Sequence, residues 1–191
     1  MKLLSENLTQ DIGNCKVCQQ HLPLEPRPIV QVSSSATVLI IGQAPGIKAH
    51  DTNKPWNDAS GSRLRAWLGL EPEAFYDQNT VAIVPMGFCY PGKGGAGDLP
   101  PRKECAPLWH SQIIESMPIK VTFLIGQYAQ KYYLKDKLAL TERVKCWQNY
   151  QPKYFVLPHP SPRNNIWFKK HPWFERDVVP IMRDRVSAIT R

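Results

Sequence analysis

The chain has 191 residues, enough for one domain with a sizeable core, and at 42% hydrophobic and 21% charged it excludes a disordered chain. No stretch approaches the roughly 18 uncharged apolar residues of a membrane helix, and Met1 to Gln10 lack a signal-peptide run, so a cytoplasmic protein without a membrane partner is expected. Twenty-four Lys and Arg against sixteen Asp and Glu give +8, a field that attracts a phosphate backbone, although many basic proteins bind none.

In chain order, Cys15 and Cys18 form a CxxC pair. The first apolar run, Thr37–Ile41 (TVLII), is β-branched, does not alternate and ends at Gly42, so it predicts a strand buried on both faces. Gly42–Gly46 (GQAPG) follows. Glycine after a strand lets backbone N–H groups approach a ligand, yet a tight βα turn also needs glycine for its geometry alone. The dinucleotide spacing GxGxxG is absent. Lys54-Pro55-Trp56 and the DASG run with Asp58, Ser60 and Gly61 lead into a predicted helix, Ser60–Leu68, with Leu64, Trp67 and Leu68 on one face. Trp56 reads equally as a core tryptophan or a stacking platform, and Asp58 equally as a helix-terminal acid or a reacting group.

The second strand, Thr80–Val84 (TVAIV), ends at Pro85; Cys89, the Gly92–Gly97 run (GKGGAG) and Cys105 follow. The run lacks the Walker spacing and reads as a flexible basic loop. A helix over Ala106–Ser116, a strand over Val121–Ile125 (VTFLI) and a helix over Gln127–Leu134 come next. Cys146, beside Trp147, reads as a buried thiol without chemistry. The fourth strand, Tyr154–Leu157 (YFVL), ends at Pro158 and opens into His159–Asn164 (HPSPRN). A helix over Trp173–Ile189, broken at Pro180, closes the chain. With no repeat, linker or charge block, residues 1–191 read as one domain.

Alternating strands and helices predict an α/β fold: a three-layer α/β/α sandwich around a central four-stranded, mainly parallel sheet. In such sheets ligands lie beyond the carboxyl ends of the strands, where GQAPG, the segment after Pro85, GQY and HPSPRN all stand. Two prolines stiffen HPSPRN around one imidazole, which suits a preorganised donor to a developing anion; capping a turn is the plainer reading of the same histidine. In a reducing compartment, CxxC plus two distant cysteines suits an all-thiolate site, iron–sulfur or zinc, rather than disulfides.

GQAPG after the first strand and HPSPRN after the last resemble the two signature motifs of the uracil-DNA glycosylase superfamily. The last motif is similar to that of the single-strand-selective monofunctional branch and of family 5, and the rest to the iron–sulfur families 4 and 5. The resemblance implies a DNA-repair enzyme, a monofunctional N-glycosylase that flips a deaminated base out of DNA and hydrolyses its glycosidic bond. It implies that His159 hydrogen-bonds the departing base, that Trp56 stacks on it, and that Asp58 takes part in catalysis. Gly42, Ala44, Pro45 and Gly46 would form the base-binding loop, and Ser161, Arg163 and Asn164 would face DNA. Cys15, Cys18, Cys89 and Cys105 would hold a [4Fe–4S] cluster, with zinc or no metal as alternatives.

Two positions depart from the family. Gln43 stands where family 4 carries an acid, so it can position water or base but cannot act as a base. Family 4 carries an asparagine at the end of the second strand to read uracil's edge; the corresponding place here is near Pro85, which has no side-chain hydrogen-bonding group, so strict uracil selectivity is in doubt and deaminated purines are left as substrates. These departures also keep open a DNA-binding module without turnover. A small-molecule α/β enzyme would leave HPSPRN and the cysteines unexplained. A monomer is expected.

Overall fold

The structure, a computed structural model, describes residues 6–95 and 97–190. The strands are β1 (Val38–Ile41), β2 (Val81–Ile83), β3 (Lys93–Gly94), β4 (Gly97–Asp98), β5 (Val121–Ile125) and β6 (Tyr154–Leu157). The α-helices are α1 (Glu6–Gly13), α2 (Ile47–Thr52), α3 (Ala59–Leu68), α4 (Pro72–Phe75), α5 (Ser111–Glu115), α6 (Gly126–Leu134), α7 (Leu140–Lys145), α8 (Asn165–Lys170) and α9 (Val179–Thr190).

Every residue of β1, β2 and β5 is buried. Successive side chains of a strand point to opposite faces, so burial of all of them requires cover on both sides. Helices α6 and α7 pack on β5 and β6, while α3 packs on α9. The resulting sheet is wholly parallel, in the order β2-β1-β5-β6, with Ile40 opposite Ile83 on one side and Phe123 on the other. The three-layer α/β expectation holds, and so do its four strands. No helix among the described residues is long and apolar enough to cross a membrane.

From β1 the chain goes outward to β2, then crosses back to β5 on the other side of β1. Connections therefore leave β1 and β5 in opposite directions, and a crevice opens beyond their carboxyl ends. That position selects the loops after β1, β5 and β6.

Four expectations need correction. The break at Pro180 is instead a wider turn over Phe174–Val178, directly upstream in a helix that continues through α9. Widening there accommodates a residue that has no N–H and whose ring would strike the preceding turn. Ala106–His110 is likewise a wide turn, with Pro107 at its first positions, so only Ser111–Glu115 of that helix is α. GKGGAG is not a free loop: Lys93–Gly94 and Gly97–Asp98 pair antiparallel, Lys93 opposite Asp98; Ala96 lies outside the described residues. Cys146 is half-buried rather than buried, its thiol 3.1 Å from the Glu142 carbonyl.

Candidate active site

Trp56 and His159 come together. Their ring centroids are 5.4 Å apart at an interplanar angle of 30°. A base sandwiched between two rings needs them about 7 Å apart, two ordinary contact distances. No room for a base is left between them in this arrangement, and the two rings form one continuous aromatic surface. A cavity of about 280 Å³ lies elsewhere, bounded by Leu39, His110, Tyr133 and Tyr154, with no residue of GQAPG or HPSPRN.

The indole is held from below. Trp56 adopts φ +55°, a conformation uncommon for a residue with a side chain. Its carbonyl accepts from Tyr76 Oη at 3.3 Å and Arg65 Nη1 at 3.4 Å. A Cβ at Gly61 would stand 1.7 Å from that carbonyl oxygen, and one at Gly42 would stand 2.7 Å from Trp56 Cζ2. Both glycines are thus demanded by the close approach of Trp56. Gly61→Ala is expected to destabilise the fold by about 1–3 kcal/mol, as overpacking does, and to displace the indole; thermal melting checks it, and an unchanged midpoint contradicts it.

Strained backbone held by several partners is characteristic of ligand clamps. Lys54 belongs to the same support: its Nζ stands 3.9 Å from the Tyr76 ring centroid.

His159 lies over the carboxyl end of β5, its Cβ 3.6 Å from where a Gly126 Cβ would stand. Burial pushes its pKa down to about 4, against a weaker upward pull from Asp58. The imidazole is neutral at pH 7. Its Nδ1 accepts from the Ser161 N–H at 3.2 Å. The proton therefore sits on Nε2, the tautomer assigned from that bond.

The rest of HPSPRN braces the histidine. Asn164 Nδ2 donates one hydrogen bond to the His159 carbonyl at 2.7 Å, bracing the loop from within. Ser161 Oγ accepts from the Arg163 N–H at 3.3 Å and caps the short turn Pro162–Asn164, leaving its O–H to donate outward. Arg163 reaches across to the β3–β4 hairpin, where its Nη1 would collide with a Cβ at Gly97.

GQAPG is braced as well. The Met86 N–H donates to the Gly42 carbonyl at 2.9 Å, and the Gly87 N–H to the Gln43 carbonyl at 3.0 Å. Gln43 Nε2 donates to the Leu99 carbonyl at 3.2 Å, tying the loop to the hairpin. Gly46 precedes α2, and Ala44 and Pro45 link it to Gln43. Pro85 is buried, and its carbonyl accepts from His110 Nε2 at 3.0 Å, so it offers no free polar group to a base. His110 is a second neutral histidine, pushed down to about 4 by burial; its Nδ1 faces Tyr133 Oη at 2.6 Å.

Asp58 takes the helix-terminal position. Its side chain accepts the Gly61 N–H at 2.8 Å and caps α3, and its charge acts on His159. One residue escaped the sequence reading: Asp98. Its Oδ2 lies 3.4 Å from the position of a Gly46 Cβ, placing a carboxylate directly over GQAPG. Burial raises its pKa; Arg163 and Lys93 oppose that rise, and Asp58 adds to it. The two-residue turn between a KG and a GD pair was the available signal, one that marks a hairpin.

Cys15, Cys18, Cys89 and Cys105 line one small pocket with Phe88 and Arg102. Burial pushes Cys89 up to about 11 and Cys105 up to about 12, and Cys105 Sγ accepts the Phe88 N–H at 3.4 Å. Among the described residues no three His, Cys, Asp or Glu side chains gather closely enough to hold one ion.

A solution structure from Methanosarcina acetivorans, provisionally described as a uracil DNA glycosylase, is 14% identical with a TM-score of 0.48, over 81% of this chain and 94% of that one. The family model for the Uracil DNA glycosylase superfamily matches residues 30–183, which contain both GQAPG and HPSPRN together with the whole of the parallel sheet. The chain belongs to the uracil DNA glycosylase superfamily.

Proposed function

We propose that this protein is a monofunctional DNA glycosylase that draws a deaminated base from the helix and hydrolyses its N-glycosidic bond. The single observation that carries this reading is the state of His159: neutral, locked by Ser161, with its one proton on the nitrogen that no described residue engages. Cleavage leaves negative charge on the departing base. A fixed N–H donor in a dehydrated setting stabilises that charge without reorganising. The +8 chain and Arg163 at the mouth supply attraction for the phosphate backbone.

Substrate entry requires the Trp56–His159 pair to part, or the base to use the outer face of the indole. Stacking on an aromatic ring contributes roughly 1–3 kcal/mol per base, enough to offset such a movement. Pro85 offers no hydrogen-bond partner for one particular base edge. Deaminated purines therefore belong beside uracil as candidate substrates.

In this reading the four cysteines hold a [4Fe–4S] cluster. A single zinc ion with Zn–S bonds of about 2.3 Å would draw its sulfurs to within about 3.8 Å of one another. Four thiols lining one pocket are the donor set an all-thiolate cluster takes. Bound there, it would join the N-terminal segment to the segment after β2 and take no part in the reaction.

Gln43, lacking a carboxylate, favours a second reading: a DNA-binding module without turnover. Fluorescent strands carrying uracil, hypoxanthine or xanthine separate the two. An abasic product on at least one lesion is the expected result. Salt-dependent binding with no abasic product on any of them supports the module.

A further inference from the structure

The antiparallel hairpin β3–β4 lies across the site, and three contacts fix it there. Gln43 Nε2 holds the Leu99 carbonyl at 3.2 Å, Asp98 Oδ2 stands over Gly46, and Arg163 rests against Gly97. The hairpin thus bridges the loops after β1 and β6. Its base is closed by the Leu99 N–H, which donates to the Gly92 carbonyl at 2.8 Å. Only one acid on it faces this crevice. We infer that Asp98 is the catalytic residue that orients and deprotonates the attacking water, taking the role that Gln43 cannot perform.

The chemistry needs such a group. As the bond between C1′ and the base nitrogen breaks, its electron pair leaves with the base. A lone pair of water then bonds to C1′, and one water proton must go to an acceptor. Gln43 carries an amide, which accepts no proton at neutral pH and here donates to Leu99. Asp58 has one oxygen committed to the Gly61 N–H at the start of α3. Asp98 is open to solvent on one side and has no hydrogen bond to a described residue among those that hold the hairpin. The proton passes to its carboxylate, and the departed base, held by His159, is reprotonated from solvent.

The charged and titratable groups around Asp98 are Lys93 across the hairpin, Arg163 from the last loop, Asp58 before α3 and Tyr90 after Cys89. Two carboxylates in one crevice, one capping a helix and one left free, divide into a fixed charge and a proton acceptor. The partial dehydration that lifts Asp98 improves it as a base.

The inference rests on the glycosylase reading, and the test separates the two. Asp98→Asn and Asp98→Glu are assayed beside the wild-type chain in single-turnover excision, using the lesion strand that wild type cleaves. Binding is measured on a 2′-fluorinated version of that strand, which resists cleavage. Asp98→Asn is expected to excise about 100-fold more slowly or worse, to bind within about twofold of wild type, and to be partly rescued by Asp98→Glu. An Asp98→Asn rate close to that of an active wild type overturns the inference alone. So does a loss of binding that accounts for the whole loss of rate. A wild type inert on every lesion overturns both readings.

Discussion

Replacing His159 by alanine is expected to slow excision by about 10²–10³-fold, the usual effect of removing one preorganised donor, which corresponds to about 2.7–4 kcal/mol. DNA affinity should change little, because the donor acts on charge that develops only as the bond breaks. Single-turnover rates and equilibrium binding on one lesion strand distinguish these effects. An equal loss in both would place His159 in ground-state binding instead.

The same residue carries a pH signature. His159 and His110 are each pushed from the ordinary 6.5 down to about 4 in the fold. Between those values the unfolded chain binds more protons than the folded one. Stability is therefore full above about pH 6.5 and is lost as pH falls toward 4. Thermal melting should show that decline, and it should be shallower in His159→Ala. A His159 that was cationic at neutral pH would reverse its contribution to the slope.

The second large effect concerns the four cysteines. Protein purified without oxygen should be brown and carry about four irons per chain. Cys105→Ala should lose that iron and lower stability, on the order of several kcal/mol, because metal binding to such a site is folding free energy. Loss of the whole fold is not expected. Ile12 in α1 and Phe88 beside Cys89 are each 1% exposed and remain anchored in the common core. The segment between them should loosen instead, with faster proteolysis around residues 15–28. A colourless chain holding one zinc contradicts the cluster.

Much of this was legible in the sequence because the strands are buried on both faces. TVLII and VTFLI do not alternate, and that pattern fits a covered parallel sheet better than an exposed one. Once the sheet was parallel, the loops at its carboxyl ends had to converge, and His159 and Trp56 did. What escaped depended on distances across the fold. Nothing in HPSPRN says that Asn164 turns back to the His159 carbonyl, or that Ser161 caps its own turn. The 5.4 Å between the rings is set by Gly42 and Gly61, residues whose own pattern looks like ordinary turn and helix glycine.

Asp98 was hidden for a related reason. A Gly-rich stretch with no apolar alternation carries no strand signal, so the acid that follows it did not stand out as a site residue. Pairing of Lys93 with Asp98 turns that stretch into a hairpin over the site.

An extruded base is expected to meet Nε2 of His159 beside Trp56. A crystal structure with DNA carrying a 2′-fluorinated lesion nucleotide tests it most directly. The predicted result is a flipped base whose oxygen lies within hydrogen-bonding distance of that nitrogen, against an indole that has moved away from the imidazole or presents its outer face. A base still stacked in the helix, or extruded to a surface away from GQAPG and HPSPRN, would contradict it.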